Sequence, residues 1–289
     1  YLDRYIFDTK YPKTTGYINF GYDAHIVVNR GYKEATTPSS SKLSSLFKLK
    51  SVVNDVDKRR KQSFVFNFDD GVTFEWMMNK SAFSPVSNPK ETVFEASSSS
   101  GIVRLALSAS ADGTSPIQFY ASSSAEIALN DIGASTLLTS SIATGAWKHY
   151  AVSIFRDGSD LKTSLYVDGA LNNTKTHANI DNFDLDTTLF IASGSYGLLS
   201  ASVDDFTYWN KKQPSEKIYR YRNVSLDGGA NSDDYRTELG LLLKFNEGIT
   251  NIASVDRVAL DYSGRIANGY IENYSSTIRN TGSAYSVEK

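Results

Sequence analysis

Along most of the chain, β-branched and aromatic residues alternate with polar ones in short runs punctuated by Gly, Asn, Asp and Ser. Alternation with a period of two sends successive side chains to opposite faces of an extended strand, so each run predicts one strand with a single apolar face. The runs are Ile18–Phe20, Ala24–Val28, Gln62–Phe68, Thr73–Met78, Glu91–Ala96, Ile102–Ser108, Ile117–Ser122, Trp147–Arg156, Thr163–Val167, Thr188–Ser193, Ala201–Trp209 and Leu239–Phe245. Helical spacing is confined to "QPSEKIYRYR" (Gln213–Arg222), where Ser215 is placed as an N-cap and Ile218 and Tyr221 stand three apart. Many short strands in succession with almost no helix predict an all-β, two-sheet antiparallel sandwich carrying one short helix after its last core strand.

The stretch "GAWKHYAVSIFRDGSDLKTSLYVDGAL" (Gly145–Leu171) shows the pattern at its clearest. Alternation places Trp147, His149, Ala151, Ser153 and Phe155 on one face and Lys148, Tyr150, Val152 and Ile154 on the other, the latter suited to burial. "RDGSD" turns the chain. The following strand closes on Asp168-Gly169, a dipeptide that takes positive φ at low cost and so marks a tight hairpin.

Composition narrows the function classes. Net charge is −2 with Lys+Arg 30 against Asp+Glu 32, which leaves no electrostatic footprint for nucleic acid or an anionic membrane. The cluster "DKRRK" (Asp57–Lys61) reads as a solvated loop. There is no cysteine, so disulfides, thiolate metal sites and a Cys nucleophile are excluded. No apolar run approaches the ~20 residues of a membrane span, and no signal peptide is visible. The chain opens on Tyr1, as expected of a processed product or a piece of something longer.

The quoted stretch, with "VTFEWMMNK" (Val72–Lys80) and "LFIASGSYGLLSASVDDFTYWNKKQPSEKI" (Leu189–Ile218), resembles the laminin-G-like, concanavalin A-like jelly-roll family. Trp147, His149, Ala151, Val152, Leu165, Tyr166, Val167, Asp168, Gly169, Asp204, Asp205, Tyr208 and Asn210 occupy the matching positions, over roughly Thr15 to Arg222. Ala192 stands where the family usually carries Gly. The resemblance implies a jelly-roll domain over 15–222 after a lead-in at 1–14, with an insertion at 33–57 and a linker at 223–234. The tail, 235–289, is open to two readings. Phe245, Glu247, Gly248, Asp261, Ser263, Gly264, Asn268 and Gly269 resemble the opening of a further module of the same kind; alternatively the tail supplies the closing strands of the first sandwich. Its phrasing, "KFNEG…LDYSGR…NG", also resembles structural proteins of large tailed bacteriophages. That implies a non-catalytic virion protein whose partners are other virion proteins, copies of itself or a host-surface glycan. The alternatives are an extracellular carbohydrate-binding module of a secreted bacterial protein, or a glycosidase on the same scaffold. In the insertion, "KLSSLFKLKSVV" (Lys42–Val53) spaces its apolar residues as one helical face, suited to docking on a neighbour or back on the sandwich.

Candidate chemistry is sparse. A glycosidase needs two convergent carboxylates, and no same-face Glu-x-Asp-x-x-Glu pattern occurs; Glu75 is alone and Asp204 and Asp205 are adjacent on a strand. His25, His149 and His177 are scattered, with no triad or metal spacing. His149 reads as a sheet residue hydrogen-bonded to backbone, and no catalytic residue is expected. Asp204 alternates with Phe206 and Tyr208, so its carboxylate must be paired, hydrogen-bonded or metal-bound. By resemblance it would hold a structural calcium near Gly21 and Asp23, as oxygen ligands suit that ion; the alternative is a carboxylate accepting backbone N–H bonds. For a sugar, Tyr196 in "GSYGLL" is the stacking residue expected to stand exposed between glycines, whereas Trp76, Trp147 and Trp209 lie in strands and are expected to be buried.

Overall fold

The structure is a computed structural model that describes residues 16–21, 23–28, 66–83, 90–109, 115–182, 188–223, 226, 238–263, 267–282 and 284. The insertion at 33–57 and most of the 223–234 linker lie outside the described residues, as does the 1–14 lead-in.

Sixteen strands and three short helices follow one another in the described chain. The strands are β1 (Gly16–Phe20), β2 (His25–Val28), β3 (Val72–Asn79), β4 (Lys90–Ser97), β5 (Ile102–Ser108), β6 (Ile117–Ser122), β7 (Glu126–Asp131), β8 (Trp147–Asp157), β9 (Asp160–Val167) and β10 (Ala170–His177). They continue with β11 (Thr188–Ile191), β12 (Ala201–Trp209), β13 (Leu239–Leu243), β14 (Val258–Ala259), β15 (Gly269–Glu272) and β16 (Arg279–Thr281). The helices are α1 (Thr139–Ile142), α2 (Ser215–Tyr221) and α3 (Ala253–Asp256). Pairing is antiparallel throughout and builds two eight-stranded sheets. The first runs β10-β9-β8-β3-β12-β1-β16, with β13 also on β12; the second runs β14-β15-β2-β11-β4-β5-β6-β7. The protein is thus a two-sheet, concanavalin A-like sandwich.

The tail belongs to these same sheets. β13 pairs with β12, β15 with β2 and β16 with β1. Its motif residues hold it there. Asp261 accepts hydrogen bonds from the N–H groups of Leu242, Ser263 and Ala267 at 2.9–3.1 Å, while Glu247 pairs with the buried Arg279 at 2.7 Å. Gly269 lies so close to Ile26 that a Cβ would stand 2.6 Å from its side chain, so only glycine fits.

The core lies between the sheets. Phe74 of β3 stacks on Phe94 of β4 at 4.1 Å between ring centroids, and Trp76 stacks on Tyr150 at 5.8 Å. One buried ion pair also ties the sheets. Lys80, just after β3, donates to Glu91 of β4 at 2.7 Å, and the same carboxylate oxygen accepts the Ser200 N–H at 2.8 Å. Burial pushes the Lys80 ammonium below its ordinary pKa, against the opposing pull of Glu91.

Most predicted strands are present to within a few residues. At Asp168 (φ 50) and Gly169 (φ 77) the β9–β10 hairpin turns as the dipeptide requires. In the expected Gln62–Phe68 strand, the described residues Phe66 and Phe68 are core residues outside any strand. Ser215 is the first residue of α2, and Pro214 takes the cap position without a side-chain bond. β3 is buried on both faces, and α2 covers the neighbouring strands, with Ile218 packed on Ala151 of β8 and Tyr166 of β9.

Removing one partner of the Lys80–Glu91 pair leaves an uncompensated buried charge, so Glu91→Ala is expected to cost about 3–5 kcal/mol in urea unfolding. The double variant Lys80→Met/Glu91→Leu should cost far less. His177 is a second probe: buried, against Phe119 and hydrogen-bonded to Thr163 at 2.9 Å, its pKa is pushed down to about 4 by burial and then by Lys175. The unfolded chain protonates it near pH ~6.5, so stability is full above that pH and falls as pH drops towards 4. Melting curves over this window should flatten in His177→Gln.

Candidate ligand-binding rim

The two sheets differ on their outer faces. The first is roofed by α2 and the tail, and beneath that roof lies a polar cluster. Glu75 of β3 accepts the Trp209 indole N–H at 2.7 Å and meets His149 Nε2 at 3.2 Å. His149 therefore bonds a carboxylate through its ring, where a backbone partner was expected, and its Nδ1 is buried without a partner among the described residues. Glu75, His149, Asp205 and Trp209 line a cavity of about 20 Å³. That is room for about one water.

The second sheet carries its polar and aromatic side chains towards the outside. Glu95, Arg104 and Tyr120 lie side by side on β4, β5 and β6, each in register with the next. Tyr196 comes over them from the loop after β11. That loop leaves the strand at Ala192 with φ 64, a left-handed conformation that explains why glycine is the usual choice there. It folds back onto β4, where Ser195 donates its N–H to Glu95 at 2.9 Å and Thr92 donates its N–H to the Gly197 carbonyl at 3.2 Å. The Arg104 guanidinium is the centre of the arrangement. It donates from Nε to Glu95 at 2.5 Å and from one terminal nitrogen to Ser195 Oγ at 2.8 Å. Its carbon lies 4.4 Å from the Tyr196 ring centroid and 4.9 Å from that of Tyr120, while Lys90 Nζ lies 4.9 Å from Tyr196. Two half-buried phenol rings are thus fixed by one buried cation.

A depression of about 340 Å³ opens on the same rim, where the turn into β2 meets the turn between β15 and β16. Asn19, Asp23, Asn273, Ser275, Thr277 and Ile278 line it. Asn273 (φ 52) donates from Nδ2 to the Asp23 carbonyl at 3.1 Å and so clips the two turns together. His25 pairs with Glu272 and Ile191 with Ile26, so both turns and the Tyr196 loop leave the second sheet at one end.

Gly21 and Asp23 lie in this depression; Asp204 does not. On β1, Phe20 pairs with Ala201, so Asp204 stands three residues, about 10 Å, further along β12. Its carboxylate accepts the N–H groups of Asp205 at 2.9 Å and Ala284 at 3.2 Å. Among the described residues no three His, Asp or Glu side chains converge as metal ligands. The three residues expected to share a calcium ion fall in two places, and together they do not fit one. Trp76 and Trp209 are buried, while Trp147 is half-buried and meets Tyr17 edge-on at 5.3 Å. The sequence reading missed Arg104, although a lone arginine inside the apolar run "IVRLALS" was the available signal.

Among the described residues no helix is long and apolar enough to cross a membrane. No curated protein sequence matches the chain. Among solved structures, a protein from Bacteroides ovatus provisionally named a carbohydrate binding protein superposes with a TM-score of 0.56 at 16% identity, covering 93% of this chain and 60% of that one. This chain therefore spans about three fifths of that protein. The heptameric SAP-like pentraxin of Limulus polyphemus gives a TM-score of 0.43 at 12% identity, covering 73% of this chain and 82% of that one. Domain 4 of the extracellular arabinanase AbnA from Geobacillus stearothermophilus, solved with arabinotriose, gives 0.38 at 12%, covering 54% and 68%. Residues 80–218, from just after β3 into α2, match the laminin-G family model described as the Concanavalin A-like lectin/glucanases superfamily.

Proposed function

We propose that the protein is a non-catalytic carbohydrate-binding module, and that Tyr196 and Tyr120, held by Arg104, form its sugar-stacking platform. The observation that carries this reading is the guanidinium shared between the two rings. Aromatic faces stack on the C–H faces of sugar rings while their hydroxyl edges hydrogen-bond. A platform already fixed by Arg104, Glu95 and Ser195 pays little ordering entropy when it binds. Gln118, which donates to Asp131 at 3.1 Å on the adjacent strands, extends the polar surface beside Tyr120. The similarity of the fold to a provisionally named carbohydrate binder supports the same reading.

The non-catalytic part rests on the carboxylates. Glu75 and Asp205 share a cavity of about 20 Å³, which admits no sugar ring, and Glu95 is committed to Arg104 and Ser195. A cleaving pair needs ~5–10 Å of open separation around a glycosidic bond. The phage-appendage setting rests on the phrasing of the tail; there the same platform would face a host-surface glycan, and otherwise it would serve a secreted protein.

On a glycan array, wild-type protein should bind a defined set of sugars. Tyr196→Ala should weaken that binding about tenfold or more with little change in melting temperature. Undiminished binding by Tyr196→Ala would overturn the platform, and release of new reducing ends from the bound glycans would overturn the non-catalytic reading.

A further inference from the structure

We propose that the depression at Asn19, Asp23 and Asn273 is a pocket for a single terminal sugar residue, with the Tyr196 platform receiving the residues that follow it. This rests on the sugar-binding reading and goes beyond it, because it places a second subsite and gives the ligand a direction.

The occupant follows from the lining. At about 340 Å³ the depression has the size of a small-molecule site and far exceeds that of an ion. Its polar groups are one carboxylate, two carboxamides and two hydroxyls, set around Ile278 and Ala24. Among the described residues no lysine or arginine lines it, so an anion would meet Asp23 without compensation. A single acidic side chain with no second one converging leaves a metal cation undersupplied. An uncharged polyol with one apolar face satisfies every group present. Asp23 offers two acceptor oxygens to neighbouring hydroxyls, and its carboxylate makes no hydrogen bond or ion pair among the described residues. Asn273 has its Nδ2 committed to the Asp23 carbonyl, which leaves Oδ1 to accept a hydroxyl proton. Ile278 and Ala24 supply the apolar floor for the C–H face of the ring.

The position on the fold sets the direction. The depression adjoins β2, and the Tyr196 ring lies over Arg104 of β5, three strands away across β11 and β4. That is about 14 Å at the usual strand spacing, within reach of the next few sugars of a chain. A sugar end seated at Asp23 would therefore bring the chain onto Tyr196.

The test separates the two subsites. Methyl glycosides of glucose, galactose and mannose, and trisaccharides of the sugars bound on the array, are titrated by ligand-observed NMR into wild-type protein and the variants Asp23→Ala, Asn273→Ala and Tyr196→Ala. All three positions are surface loops, and melting temperature reports whether the fold is kept. A methyl glycoside is expected to bind wild type and Tyr196→Ala alike and to lose about tenfold or more in Asp23→Ala and Asn273→Ala. The trisaccharide should be weakened by all three. If methyl glycosides bind Asp23→Ala and Asn273→Ala as they bind wild type, or if only the trisaccharide binds and Tyr196 alone matters, the pocket is overturned while the platform stands. If Tyr196→Ala changes nothing and Asp23→Ala abolishes binding, the platform falls and the pocket stands. Wild type that binds none of these sugars overturns both. A calcium-dependent rise in melting temperature that Asp23→Ala removes assigns the carboxylate to a cation and overturns the pocket.

Discussion

The structure depends on how one strand, β12, shares its edges. β3 takes one side along most of its length, but the other side is divided, with β1 on Ala201–Val203 and β13 on Phe206–Trp209. Two partners cannot occupy one edge without a break, and the break falls at Asp204 and Asp205, where the register slips and Asp205 takes φ 46. The backbone amides set loose there have to be satisfied inside the protein. Asp204 does this with its carboxylate, accepting Asp205 and the distant Ala284. A buried acid inside an aromatic strand needs partners, and here two backbone N–H groups supply them at the break in the sheet.

The same division decides where binding chemistry can sit. Because α2 and the segment around Leu226, Leu239 and Leu242 cover the outer face of the first sheet, Glu75, His149 and Trp209 are sealed from any ligand larger than water. Among the described residues no helix lies over β4, β5 and β6 of the second sheet, so Arg104 stays within reach of the surface through the two rings it supports. Two buried ion pairs involve β4. Lys80–Glu91 and Arg104–Glu95 sit two turns of the strand pleat apart along β4, one fastening the sheets together and the other fastening a loop to a face.

Much of the fold was legible because its central strands obey one rule. Alternation placed β5, β6 and β12 to the residue, and Asp168-Gly169 marked its hairpin. The edges were not legible. β10, "ALNNTKTH", is polar on both faces because it borders solvent, and β14, β15 and β16 are two to four residues long, too short to show a period. Phe66 and Phe68 misled in the opposite sense, since apolar side chains can fill a core from a segment that lies outside any strand. At the rim, the glycines around Tyr196 led to the expectation of an exposed ring, whereas the ring is half-buried, and its cationic support comes from a strand some ninety residues earlier, separated as Arg104 is from Ser195. Proximity of that kind is a property of topology, and no local spacing encodes it. The depression is still less local, being built from turns 250 residues apart.

That closure between distant ends governs how the chain reaches its native state. β1 pairs with β16, Gly16 against Thr281, and β2 pairs with β15. Each sheet therefore waits for strands synthesised long after β1 and β2, and loop closure over such distances is slow. Until the tail emerges, β2 and the far half of β12 present bare edges, the kind of surface that recruits other unfinished chains. Changes in Arg279, Glu247 or Asp261, which hold the tail to the sheets, should therefore lower folding yield as well as final stability.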